Sequence, residues 1–301
     1  MKNILFLLSI LLGQTMYGQT QRLGDALNHL VDPLDKTQIN SGYLWDKGTN
    51  GFGEPAVFDG VLYDSAYLQP LTFGFLYVQA RNSFVGNGTN LLPDPAVYMN
   101  YVNRYTGTDT IPLAALTLRY HRIHAYALDS SLFTLQNEQL FDVPGRTHSP
   151  YRQDTLCAFV PLKSDSWHST VHFTLPADLI WSNLGSPASA YAVDPGDGSG
   201  YHTLVPGQTL TVHYADGGAK VVRTRITSGG SVLETQAVVY VAETPVQERG
   251  GGPNYPIDKP EAIIPIPGGG GDLRIFYGSP CNKLVKPFIV VEGFELQDNP
   301  M

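Results

Sequence analysis

Between Val193 and Tyr201 the chain reads Asp-Pro-Gly-Asp-Gly-Ser-Gly, with the carboxylates of Asp194 and Asp197 interleaved among Gly196, Gly198 and Gly200. Glycine tolerates positive φ, and aspartate in such a turn either accepts bonds from nearby backbone N–H groups or lends oxygen to a calcium ion. An EF-hand-type loop starting at Asp194 would close with a bidentate Glu at position 205, which is Val205. The expectation is a structural turn, with Asp194 and Asp197 as the calcium candidates should the loop take a cation.

Histidine spacing is tested the same way. His121 and His124 would face together on a helix, but an odd separation on a strand sends them to opposite faces. His168 and His172 share a strand face roughly 13 Å apart, too far for one metal. Tyr98, Tyr101 and Tyr105, with Tyr63 and Tyr67, are either sheet filler or an aromatic platform for sugars. Cys157 and Cys281, the only cysteines, either remain inert thiols or pair across a loop long enough to contribute on the order of 4 kcal/mol. The sequence contains no P-loop, HExxH, CxxC, complete GxGxxG or Gly-x-Ser-x-Gly.

The first residues place these groups. Met1-Lys2-Asn3 is a basic start, Ile4 to Leu12 is apolar apart from Ser9, and Gly18 is a small residue before Gln19. That pattern is a secretory signal peptide over 1–18, too short to span a bilayer. The expected location is secreted, extracellular or at the cell surface, with a periplasmic location as the alternative, and with no transmembrane segment in the mature chain. No cysteine near the cleavage point offers a lipid anchor. A formal net charge of −8 with no Lys/Arg cluster argues against a nucleic-acid partner.

Charged residues make up only 15% of the chain while Gly, Pro, Tyr and Thr are abundant, a balance that suits sheet and turn more than helix. The expected fold class is therefore mostly β. Leu23, Leu27, Leu30 and Val31 predict a short helix before Pro33. The alternation in 71–80 predicts a strand with Phe73, Phe75 and Tyr77 on one face. Residues 111–123 predict another, with Leu116, Leu118 and Tyr120 opposite Thr117, Arg119 and His121. These runs belong to an expected β-rich domain over 19–160.

Residues 191–227 resemble the PKD family of Ig-like β-sandwich domains. Tyr191, Asp194, Gly196, Asp197 and Gly198 match the first half of its core motif, Tyr214 and Gly218 the second, and Val222 to Ile226 the closing strand. Val193 and Pro195 replace the family's Trp and Phe, so the resemblance is to a divergent member. It covers about 166–243 and implies a separable antiparallel sandwich at 161–243. Six Pro and seven Gly within 244–272 predict a linker, and 273–301 then reads as the start of an incomplete domain. Within it, 286–295 resembles the strand and His-Gly turn of α/β-hydrolases that lead to the oxyanion-hole loop, although Glu292 stands in the His position.

Three functions are open at this point. The first is a secreted, non-catalytic β-domain region of an extracellular bacterial protein that displays, spaces or binds, with an extracellular polysaccharide or a cell-surface protein as partner. The second is the N-terminal part of a secreted α/β-hydrolase whose catalytic portion is absent, and the third a carbohydrate-binding module.

Overall fold

The computed structural model describes residues 26–48 and 55–242, together with two short strands, Ala262–Pro265 and Asp272–Ile275. The chain divides into two compact units at Val246. The expected signal peptide, Cys281 and the hydrolase-like 286–295 all lie outside the described residues.

The fold is mostly β, as composition predicts. Among the described residues the α-helices are few: a short one over 26–31, α1 (Pro70–Asn82) and α2 (Pro95–Tyr105), beside brief 3-10 turns. The helix α1 corrects the strand expected over 71–80. Pro70 supplies a pre-set φ at its first position, and Phe73, Leu76, Tyr77 and Ala80, spaced by three and four, are all buried. Alternation and helical spacing coexist in this stretch, and burial of the second set decides between them. In α2 the Asp94 carboxylate caps the Ala96 amide at 3.0 Å just before Pro95.

The strands are β1 (Thr110–Ile123), β2 (Phe133–Gln136), β3 (Gln139–Asp142), β4 (Tyr151–Pro161), β5 (Asp165–Ser166), β6 (Thr170–Thr174), β7 (Ile180–Ser182), β8 (Ala188–Asp194), β9 (His202–Leu204), β10 (Thr209–His213), β11 (Gly218–Ser228) and β12 (Ser231–Val241). One sheet runs β10-β6-β1-β4, with β7 also on β1, and the second runs β5-β12-β11-β8-β9. Apolar side chains from both fill the space between, among them Ile111, Phe159, Phe173, Val193, Val222 and Val239. The opposite face of β1, carrying Ala114, Leu116, Leu118 and Tyr120, packs against Phe73, Leu76 and Tyr77 of α1 and Tyr98 of α2. The first unit thus has three layers, and β1 and β4 contribute side chains to both cores. A smaller cluster under the β2–β3 hairpin joins Val31, Leu34, Leu44, Phe133 and Tyr151.

One edge of β1 lies along β4; the other edge is covered piecemeal. β6 pairs in parallel at 110–112 and β7 at 115–117. The Asn183 side chain then substitutes for a strand, accepting from Arg119 N at 2.6 Å and donating to Arg119 O at 2.9 Å. Tyr43 O accepts from His121 N, and an Asp46 carboxylate oxygen accepts from Ile123 N at 2.7 Å. These partners serve the backbone groups of that edge in turn, although no single strand runs the length of β1.

Two findings bear on the sandwich expected at 161–243. Its pairing is mixed, since β5 lies parallel to β12, and β6 and β7 lie parallel to β1. It also shares sheets with earlier residues, because β1 and β4, within 110–161, form the middle of the first sheet. Residues 58–68 run along the side where β4 and β12 approach. Phe58 O accepts from Cys157 N, Gly60 O from Glu234 N, and Leu68 N donates to Gln236 O. Gly60, at φ 97°, sits so close to Leu233 that a Cβ would lie 2.5 Å from its Cδ2. At the same corner the Thr235 hydroxyl meets Phe159 N at 3.1 Å and Phe159 O at 2.7 Å, and Thr224 also bonds Phe159 O.

In the second unit, β13 (Ala262–Pro265) and β14 (Asp272–Ile275) form an antiparallel pair with Ala262 opposite Ile275. The expected linker over 244–272 therefore contains a paired strand, because Ala262-Ile263-Ile264 is apolar and β-branched between its glycine runs.

Candidate functional site

The Asp-Gly segment leaves β8 at Asp194 and enters β9 at His202. Asp194 Oδ1 accepts from Gly196 N at 2.9 Å, and its other oxygen lies 3.7 Å from Arg223 Nη1. Asp197 Oδ1 accepts from Ser199 N at 2.9 Å and from the Ser199 hydroxyl at 2.5 Å, and that hydroxyl lies 2.6 Å from His202 Nε2. Burial pushes the Asp197 carboxyl up, but the Ser199 bonds outweigh it and leave it below the usual carboxylate range.

Gly196, Gly198 and Gly200 all have positive φ. At Gly196 close approach adds a second constraint, since a Cβ would stand 2.5 Å from Val221 O. The Tyr214 hydroxyl, buried, donates to Pro195 O at 2.8 Å and ties the turn to the end of β10. The carboxylates proposed for calcium are thus engaged in two successive Asx turns. Among the described residues no three His, Cys, Asp or Glu side chains converge as a metal site.

Beside this turn, on the outer face of the second sheet, lies a cluster that motif reasoning missed. Arg225 Nε and Nη2 donate to Glu234 Oε1 at 3.0 and 2.8 Å, the Tyr201 hydroxyl donates to the same oxygen at 2.8 Å, and the guanidinium sits 3.9 Å from the Tyr201 ring centroid. The signal for it was the Gly229-Gly230 turn: a two-residue hairpin loop fixes register and places Arg225 opposite Glu234.

The remaining candidates are scattered. His121 is buried, with Nδ1 2.7 Å from Ser41 Oγ, and burial holds its pKa below the ordinary value although Asp154 pulls the other way. His124 stacks on Tyr126 at 4.7 Å. His168 lies in the bend before β6 and so is not on the strand that carries His172, whose Nδ1 meets Thr211 Oγ1 at 2.9 Å. Tyr98, Tyr101 and Tyr105 occupy one side of α2. Tyr98 is core, stacked on Tyr77 at 4.4 Å, and Tyr105 donates to Asp178 at 2.9 Å. Tyr63 and Tyr67 are exposed at 43% and 38%, on the 58–68 segment, and the Tyr63 hydroxyl donates to Asp59.

Cys157 is enclosed in the sandwich core, where burial pushes its thiol up to about 12. An open depression of about 530 Å³ lies over 143–149, beside Asp35, Gln38 and Asp142, and its Arg146 is bonded to Asp142 and Gln38. No described helix is long and apolar enough to cross a membrane. No family model and no curated protein matches this chain.

Proposed function

We propose that this chain is an exported, non-catalytic β-domain region of an extracellular protein, acting as a display, spacer or binding module. The observation that carries this reading is the state of its most motif-like segment. Asp194 and Asp197 spend their carboxylate oxygens on turn amides, a hydroxyl and Arg223, as structural carboxylates do. The basic and apolar N-terminus supports export. Two sheets tied together by the 58–68 segment suit a rigid spacer.

A second reading, a carbohydrate-binding module, is favoured by the exposure of Tyr63 and Tyr67, aromatic side chains with a polar hydroxyl tip. A third reading, the N-terminal part of a secreted α/β-hydrolase, rests on the sequence resemblance of 286–295. One set of measurements separates the three. The secreted chain should begin at Gln19, turn over no short-chain ester above background, and bind no glycan array. Glycan binding lost in a Tyr63→Ala, Tyr67→Ala double variant would install the second reading. Esterase activity abolished by changing a single serine would replace the first.

A further inference from the structure

Asn87 and Gly88 form the tip of the loop that follows α1, and both are exposed. A Cβ at Gly88 would meet nothing within 4 Å. Among the described residues no hydrogen bond engages the Asn87 side chain or the Gly88 N–H. The loop is pinned on either side of this tip. Gly86 N donates to Gly42 O at 3.2 Å, while Asn90 Oδ1 accepts from the Tyr43 hydroxyl and Leu92 N and its amide donates to Arg81 O.

An asparagine is chemically labile when the next backbone nitrogen is free to swing onto its side-chain carbonyl carbon, and glycine offers least hindrance to that swing. We infer that Asn87 is a site of spontaneous covalent conversion, with the Gly88 backbone nitrogen as nucleophile and water as co-reactant. The Gly88 nitrogen forms a bond to Asn87 Cγ as the Cγ–Nδ2 bond breaks, and the nitrogen's proton departs with the amide as ammonia. Water then adds to either carbonyl of the five-membered imide and reopens it to aspartate or isoaspartate. The net change is amide plus water to carboxylate plus ammonium, with no oxidant or reductant. The tip gains one negative charge, and the iso form adds a methylene to the main chain between the anchors at Gly86 and Asn90.

Other asparagines in the same structure lack this freedom. Asn82 is exposed, but the Ser83 N–H donates to Gln79 O at 2.9 Å in the last turn of α1. After Asn90, Leu91 N donates to the Tyr43 hydroxyl, and after Asn183, Leu184 N donates to Ser182 Oγ while the Asn183 side chain is held by Arg119. In each case the nucleophile or its target is tied down.

The full-length wild-type chain, incubated folded at mildly alkaline pH and mapped by mass spectrometry, tests this. The 87–88 peptide should gain the mass of –NH2 replaced by –OH ahead of peptides carrying Asn82, Asn90 or Asn183, and should become a substrate for isoaspartyl methylation. Gly88→Ala should slow the change several-fold. An 87–88 peptide that stays unmodified in the folded chain while a urea-unfolded sample converts would overturn the inference, as would conversion at Asn82 before Asn87. Peptide mapping keeps any change at Asn50-Gly51 separate.

Discussion

The Tyr214 hydroxyl donates to the Pro195 carbonyl oxygen across 2.8 Å inside the protein, so the residue after β10 holds the first peptide of the turn that leaves β8. Tyr214 is 2% exposed, and burial holds its hydroxyl protonated at any physiological pH. Tyr214→Phe removes the donor and leaves the Pro195 oxygen buried without it. The expected loss is about 1–2 kcal/mol with the fold retained, read as a shift in the urea midpoint at unchanged slope.

Asp197 faces solvent more than Asp194 does, so the cost of Asp197→Ala is reduced by screening, to roughly 0.5–1 kcal/mol. Its folded pKa is lowered, so the stability it lends is present above its ordinary value of 3.8 and is lost as pH falls through the folded value. Calcium should leave the melting temperature of the wild type unchanged. A rise of several degrees on adding the ion would restore the metal reading for Asp194 and Asp197.

His121 carries a second pH dependence, of its own sign. Its folded pKa lies below the ordinary 6.5, so the native state binds fewer protons than the unfolded chain between those values. Stability should be level above about 6.5 and decline as the solution is acidified below it, until the folded pKa is passed. In His121→Gln that decline should flatten; an unchanged pH profile would mean that another group drives it.

Cys157 should be silent towards thiol reagents in the native protein. In a Cys281→Ala chain, where Cys157 is the remaining thiol, no labelling should occur until denaturant is added, because the sulfur is enclosed and its thiolate disfavoured. Rapid native labelling would show that the core around Phe159 opens readily.

Much of the architecture was legible where side-chain periodicity had one interpretation. The alternation in β1 sorted Leu116, Leu118 and Tyr120 onto one face, and that face is the one covered by helices. The glycines of the Asp194–Gly200 segment announced a positive-φ turn, and its aspartates bond as turn aspartates do. Periodicity failed in 71–80, where alternate aromatics and a three-four spacing overlap and only the surface they pack on could choose. It also gave no warning that residues 58–68 would run along the meeting edges of β4 and β12, since that contact is made by backbone groups with no side-chain signature.

By itself the sequence determined that the chain is mostly β and that Gly196, Gly198 and Gly200 make a turn. Both follow from composition and local backbone preference. The tertiary structure alone decided that β1 and β4 serve two cores at once, that Asn183 stands in for a strand at Arg119, and that Thr224 and Thr235 complete the bonding of Phe159. These are satisfactions of buried polar groups between residues far apart in the chain. Which donor reaches which acceptor there depends on how the layers pack, a quantity that no local pattern encodes.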